Sequence, residues 1–379
     1  MINKVKENSL KIAMLGHKRI PSREGGVEIV VEELSARMVE QGYEVTCYNR
    51  RGHHVSGKEY DNSRVKEYKG IKLKSVLTIN KKGLSAMTAS ISGAFHAAFG
   101  NYDVVHFHAE GPCVMLWLPK LFGKTCIATI HGLDHQRAKW GRIARSYIMW
   151  GEKMAVRKAD KIIVLSENVQ RYFKKIYGRQ TEFIPNGVNR PMLRKADLIK
   201  EKYELEKDSY ILFLGRIVPE KGIQYLIEAF QQIRTDKKLV IAGGSSDTDE
   251  FMSKLKEMAA NDERIIFTGF VQGQLLNELY SNTYIYVLPS DLEGMPLSLL
   301  EAMSYGNCCI VSDITECTEV VQDKAIVFKK GNVCDLMEKL QKACDYENIV
   351  NFYKGQATDF ICDKYSWDDV VDRTLTLYR

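Results

Sequence analysis

Nine cysteines are spread through the 379 residues of this chain, yet no two stand in a Cys-x-x-Cys spacing. Their number is odd, and most sit in apolar runs such as Cys126-Ile-Ala and Cys308-Cys309-Ile, which excludes a disulfide frame or zinc ribbon and reads as reduced core thiols. No apolar leader opens the sequence, because Lys4, Lys6 and Glu7 interrupt it, so a cytoplasmic protein is expected. Low-complexity tracts are absent as well; 45% apolar and 27% charged residues predict a folded globular chain. The uncharged stretch from Gly83 to Tyr102 holds Ser85, Thr88, Ser90, Ser92, His96 and Asn101, too polar for a membrane span. It predicts a buried helix or one resting on a membrane.

Histidine is missing from the second half, and so is basic excess. Residues 1–190 carry 32 Lys and Arg against 17 Asp and Glu, residues 191–379 carry 22 against 31, and the whole chain is +6. That asymmetry suggests that the first half meets an anionic partner: a lipid headgroup, a phosphorylated acceptor or nucleic acid. A solvated basic surface without a partner would look the same.

The length exceeds what one core serves well, so two domains are expected. Short apolar strands alternate with helical stretches almost throughout, the pattern of doubly wound parallel sheets. Lys11–Gly16, Glu44–Tyr48, Ile71–Val76, Asp103–Phe107, Cys126–Ile130, Lys161–Leu165 and Glu182–Ile184 read as strands of the first domain. Tyr210–Leu214, Lys238–Ala242, Arg264–Phe267, Tyr284–Leu288, Cys308–Val311 and Ala325–Phe328 read as strands of the second. The polar run after Pro185-Asn-Gly187 reads as the linker, giving domains of 1–190 and 191–360. The tail at 361–379 contains an amphipathic helix, with Trp367, Val370, Val371, Leu375 and Tyr378 at helical spacing. Two such domains in tandem are expected to face a ligand cleft.

The segment Pro289-Ser-Asp-Leu-Glu293-Gly294-Met295-Pro296-Leu297-Ser-Leu-Leu-Glu301 follows a buried-type strand and opens a helix at Pro296. Two carboxylates beside a helix N-terminus suit the vicinal hydroxyls of a sugar or ribose; two surface glutamates favoured by the helix dipole would have the same spacing. Gly215-Arg216, with Lys221 shortly after, ends another strand, and these cations suit a diphosphate clamp that stabilises a departing anion. Ordinary surface cations are the alternative. Gly25 and Gly26 precede the first long helix, where backbone amides can meet a phosphate, although a Gly-x-Gly-x-x-Gly fingerprint is absent and a plain turn would look similar. His131 sits just past an apolar strand, placed to bond a sugar hydroxyl or support a charged transition state, unless it is structural. Asp247-Thr-Asp249 imitates a metal-binding pair but lies in an acidic loop, so no metal is assigned to it.

In order and spacing these segments resemble family 4 of the glycosyltransferases, which retain anomeric configuration and have the GT-B fold. The resemblance runs over nearly the whole chain: the Gly25-Gly26 loop with Glu28, Ile130-His131-Gly132, Pro185-Asn-Gly-Val188, Gly215-Arg216 with Glu220-Lys-Gly222, Glu293 and Glu301 as E-x7-E, and Tyr365-Ser-Trp367. It implies that the final helix crosses back onto the first domain and that the donor is a nucleotide-sugar. It further implies that Arg216 and Lys221 hold the diphosphate and Glu301 the ribose. Glu293 with the backbone segment Gly294, Met295, Pro296 and Leu297 would hold the sugar, Gly26 would approach the diphosphate, and His131 would line the reaction centre. Neither cofactor nor metal is implied, and the leaving phosphate would itself take the acceptor's proton. That agrees with a sequence showing no evident pair of nucleophile and base. The strings Arg23-Glu-Gly-Gly-Val-Glu28 and His131-Gly-Leu-Asp134-His-Gln-Arg137-Ala-Lys139-Trp140 resemble a branch that builds bacterial capsular or exopolysaccharides, including rhamnosyltransferases. Asp134, Arg137, Lys139 and Trp140 would then face a saccharide or lipid-linked acceptor, or form a basic helix cap with one buried Trp. A peripheral place on the inner face of the membrane, against anionic lipid and without a nucleic-acid partner, completes the expectation. A GT-B-like epimerase or phosphorylase, or a non-catalytic carbohydrate binder, are the rival readings.

Overall fold

The computed structural model describes residues 9–52, 65–79, 81, 83–137, 140–244 and 249–379. Its internal contacts divide the chain into two units, Met1–Pro185 with Trp367–Arg379, and Asn186–Ser366. The division therefore falls five residues before the expected 190, and residues 361–366 belong to the second unit.

The first unit runs β1 (Lys11–Leu15), α1 (Gly26–Glu40), β2 (Glu44–Arg50), β3 (Glu67–Tyr68), β4 (Ile71–Val76), α2 (Leu84–Phe99), β5 (Val104–His108), α3 (Trp117–Leu121), β6 (Thr125–Ile130), α4 (Arg142–Lys158), β7 (Lys161–Val164), α5 (Glu167–Tyr177) and β8 (Glu182–Phe183). The strands lie in the order β3-β4-β2-β1-β5-β6-β7-β8. All pairs are parallel except β3 with β4. Parallel strands covered on both faces must be apolar along their length. Accordingly Ile12 to Leu15 and Cys126 to Ile130 are buried without a break. Helix α5 shows how local chemistry sets a boundary: the Ser166 hydroxyl accepts the Val169 N–H at 3.3 Å, and Gly178 takes the left-handed conformation (φ 64°) that ends it. Ser166→Ala would cost about 1 kcal/mol.

Helix α2 is neither fully buried nor spanning. Gly93 meets β1, where an added Cβ would lie 2.5 Å from Leu15 Cδ2, while Ile91, Phe95 and Phe99 are exposed on the other side. Among the described residues no helix is long and apolar enough to cross a membrane.

The second unit runs α6 (Leu198–Tyr203), β9 (Tyr210–Leu214), α7 (Ile223–Gln232), β10 (Lys238–Ala242), α8 (Asp249–Ala259), β11 (Ile265–Gly269), α9 (Gly273–Asn282), β12 (Ile285–Leu288), α10 (Leu297–Ser304), β13 (Cys308–Ser312), α11 (Thr315–Val321), β14 (Ile326–Phe328), α12 (Val333–Asp345) and α13 (Glu347–Lys364). Its all-parallel sheet has the order β11-β10-β9-β12-β13-β14. Six of the nine cysteines are buried free thiols in the two cores.

The last helix, α14 (Trp367–Thr376), returns to the first unit. Its buried stripe is Trp367, Val370, Val371 and Leu375, continued by Tyr378. Arg37 on α1 donates to Asp368 at 3.2 Å, and the Tyr378 hydroxyl meets His106 Nδ1 at 2.6 Å in the interior.

Candidate functional site

In the second unit the strand order reverses between β9 and β12, and open α/β sheets take ligands beyond the carboxyl ends of such strands. The chain makes room there. Gly243, at φ 152°, passes so close to β9 that a Cβ would stand 1.8 Å from the Gly215 carbonyl oxygen. Gly222 is left-handed (φ 65°), and a Cβ on it would stand 2.0 Å from the Pro289 carbonyl oxygen. With the Asp291 N–H donating to the Glu220 carbonyl at 2.9 Å, the loops after β9 and β12 are pressed into one body.

That contact sets the side chains. Lys221 Nζ donates to Glu293 Oε1 at 2.5 Å, and the same oxygen accepts the Ser290 hydroxyl at 2.6 Å. The two charged side chains are only 12% and 9% exposed, so this pair is shielded from water. Arg216 is half-buried directly after Gly215. Glu301 on α10 accepts the Tyr280 hydroxyl at 3.2 Å. Met295 is pinned from behind, its sulfur accepting the Asn186 N–H at 3.0 Å. Pro296 is the N-cap residue with extended backbone, and α10 begins at Leu297, one residue later than the sequence suggests. Gly294 is buried in the loop that leads to it. One body thus holds two cations, two carboxylates and a helix start with its partial positive charge. A diphosphate arriving there would compete with Glu293 for Lys221, freeing the carboxylate for a sugar hydroxyl.

In the first unit the reversal lies between β1 and β5. Gly16 (φ 106°) abuts the end of β5, where a Cβ would be 2.0 Å from the His108 carbonyl oxygen. Ala109 follows at φ 75°, a conformation costly for a residue with a side chain, and its N–H is held by the Thr129 carbonyl at 2.9 Å. His131 Nε2 lies 3.0 Å from His108 Nδ1, and the His108 ring stacks on His106 at 4.2 Å. Burial lowers all three: His131 to about 4, His106 to about 3, His108 well below the usual imidazole range. At neutral pH His131 is therefore an uncharged ring.

The loop before α1 is built around Glu28. Its carboxylate accepts the Lys18 N–H at 2.8 Å; burial would raise its pKa, but the Lys18 charge and N–H hold it below the ordinary range. A Cβ on Gly25 would lie 2.5 Å from Glu28 Oε2, and Gly26 is the first residue of α1. Asp134 and Arg137 pair at 2.6 Å within the turn after β6. Trp140 is half-buried. Lys139, Asp247 and the opening residues 1–8 lie outside the described residues.

Several polar residues here escaped the sequence reading: His17, bonded to Asn49 Oδ1 at 3.0 Å, His108, Glu110 and Glu152. A signal existed in His106-Phe-His108-Ala-Glu110, which puts three titratable residues at the end of a strand otherwise fit only for the core. Burial pushes the Glu110 carboxyl well up.

Two family models describe most of the chain: "Glycosyltransferase Family 4" matches residues 24–190 and "Glycosyl transferases group 1" matches residues 195–373. An uncharacterised glycosyltransferase of Methanocaldococcus jannaschii is 24% identical, with 98% of each chain covered. The UDP-Gal:alpha-D-GlcNAc-diphosphoundecaprenol alpha-1,3-galactosyltransferase of Escherichia coli is 27% identical, over 73% of this chain and 75% of its own. Among solved structures, Anabaena HepE in complex with UDP and glucose superposes with a TM-score of 0.80 at 14% identity, over 97% of this chain and 98% of that one. With two doubly wound units of the GT-B kind and both family models in sequence along it, the chain belongs to glycosyltransferase family 4.

Proposed function

We propose that this glycosyltransferase moves a hexosyl or rhamnosyl group from a nucleotide-sugar to a saccharide or lipid-linked saccharide in cell-surface polysaccharide synthesis, such as capsule or exopolysaccharide, with retention of anomeric configuration. The observation that carries the reading is the Lys221–Glu293 pair, held with Ser290 beside Arg216 and Glu301 at the switch point of the second sheet. Arg216 and Lys221 take the diphosphate, Glu301 the ribose, and Glu293 with the Gly294–Leu297 backbone the sugar. Because two side-chain cations meet the charge that grows on the leaving group, the transfer step itself needs no metal ion or cofactor. The anomeric carbon loses its bond to the diphosphate oxygen and gains one to the acceptor oxygen on the same face. The acceptor's proton passes to the departing phosphate, so no side-chain base takes part. Neutral His131 holds a sugar hydroxyl, the amides at Gly25 and Gly26 are available to phosphate, and the residues Asp134, Arg137, Lys139 and Trp140 serve the acceptor.

A peripheral place on the inner face of the membrane fits the basic first half and one feature of its surface. Phe95, Phe99 and Phe122 form an exposed aromatic cluster, with Phe99 and Phe122 at 4.6 Å, next in sequence to exposed Trp117 and Leu121 and to Lys120 and Lys124. Apolar side chains among basic ones suit anionic lipid. The E. coli relative's diphosphoundecaprenol acceptor is of the same kind.

The test is to incubate the protein with UDP-, GDP- and dTDP-sugars, with and without extracted membrane lipid, and measure nucleoside diphosphate release. Release from one donor that rises with lipid is expected. Tight diphosphate binding with no release from any donor would sink the transferase reading of this chain.

A further inference from the structure

We infer that Glu110, His135 and Glu152 form a buried site for one divalent metal ion of the zinc type in the first unit. The three residues come from separate elements: Glu110 follows β5, His135 lies in the short turn Asp134–Gln136 after β6, and Glu152 is on α4. Both glutamates are fully buried, whereas the His135 side chain is 13% exposed and gives an ion a way in. Gly151 fixes the approach of α4, since a Cβ there would stand 1.9 Å from the Glu110 carbonyl oxygen.

The carboxylates are already oriented as ligands. Glu110 Oε1 accepts the Asp134 N–H at 3.0 Å, and Glu152 Oε1 accepts the hydroxyls of Tyr172 at 2.9 Å and Tyr177 at 2.5 Å. In each case the other oxygen, Oε2, is buried and makes no hydrogen bond, and His135 Nδ1 is likewise buried without one. One ligand atom from each of the three residues lies within 4.8 Å of the other two. Donors on the outer oxygens, with the inner ones turned toward an imidazole nitrogen, are the outer-shell arrangement of metal-binding carboxylates.

The spacing agrees with this assignment. His135 Nδ1 and Glu152 Oε2 are 3.4 Å apart, beyond a good charge-assisted hydrogen bond. Ligands about 2.0–2.1 Å from a tetrahedral zinc ion stand roughly 3.3 Å from each other. One nitrogen and two carboxylate oxygens favour zinc or another divalent transition metal over calcium, which takes six to eight oxygen ligands. An ion there would tie the turn that carries Asp134 and Arg137 to α4. Its role is to position that turn, and the ion takes no part in glycosyl transfer.

Full-length protein stripped with EDTA and returned to metal-free buffer should bind one equivalent of Zn2+, with a rise in melting temperature, and Co2+ should give a tetrahedral ligand-field spectrum. Glu110→Gln and Glu152→Gln keep the side-chain volume, and His135→Phe leaves both carboxyls in place. Each variant should weaken Zn2+ binding by about 100-fold and abolish the Co2+ spectrum. Should the glutamine variants fail to fold, the wild-type Co2+ spectrum and the His135→Phe variant decide the matter. Absence of a retained equivalent and of the spectrum in wild type, or a Glu110→Gln variant that binds Zn2+ as wild type does, would overturn the site.

Discussion

The two units reverse strand order at the same point of their sheets, between β1 and β5 in one and between β9 and β12 in the other, yet they furnish that point in opposite ways. In the second unit the candidate groups are charged and come from two short stretches of sequence: Arg216 and Lys221, and Glu293 and Glu301. In the first unit, histidines that burial keeps neutral and fully buried glutamates from distant segments occupy the corresponding place. A site for a dianionic leaving group must present charge, whereas a site that orients hydroxyls works with neutral hydrogen bonds. On the proposed function, that contrast matches one sheet end built from salt-bridged loops and the other from a buried polar network.

The sharpest way to break the comparison is to remove charge from the second unit. Lys221→Ala should lower turnover by about 10²–10³-fold, measured as nucleoside diphosphate release, because a donor facing developing negative charge is lost. Next in size, Gly222→Ala forces a left-handed backbone on a residue whose Cβ collides with the Pro289 carbonyl. It should cost about 3 kcal/mol in chemical denaturation and lower donor binding as well.

A pH titration of stability addresses the first unit. His17, held between Asn49, Glu28 and Arg50, is lowered by burial to about 4, and His106, between Thr129, Tyr378 and the neighbouring histidines, to about 3. Both folded values lie below the unfolded 6.5, so the unfolded chain takes up protons that the folded one refuses. Stability is thus full above pH 6.5 and falls as pH drops toward 4, at about 1.4 kcal/mol per pH unit for each imidazole once well inside that window. His106→Gln should flatten the slope; an unchanged slope would place the buried charge cost elsewhere. The smallest effect separates two carboxylates: Glu301→Ala should weaken nucleoside diphosphate binding about tenfold by calorimetry, while Glu293→Ala leaves that affinity within about threefold and lowers turnover.

Much of the fold was legible because each parallel strand is a continuous apolar run, and every strand expected from 11 to 328 has its counterpart. The exception is β3, two residues long and paired antiparallel at the edge, too short to show a period. The unit boundary was misplaced by five residues because the polar run after Asn186 belongs to the second unit's own surface. In the second unit the residues of the site lie in two contiguous motifs, and one sheet reversal brings them together. The first unit's network draws on β1, β2, β5, the turn after β6 and α4, so no window of sequence contains it. His17, Glu110 and Glu152 each resemble surface polar residues until the fold buries them.

On the proposed function, the carboxyl end of the β9–β12 sheet holds the donor's diphosphate. Calorimetric titration of UDP, GDP and dTDP into wild type, Lys221→Ala and Arg137→Ala tests it directly. Wild type should bind at least one diphosphate, with a loss of about tenfold or more in Lys221→Ala and little change in Arg137→Ala. Undiminished binding in Lys221→Ala, or a loss confined to Arg137→Ala, would contradict it.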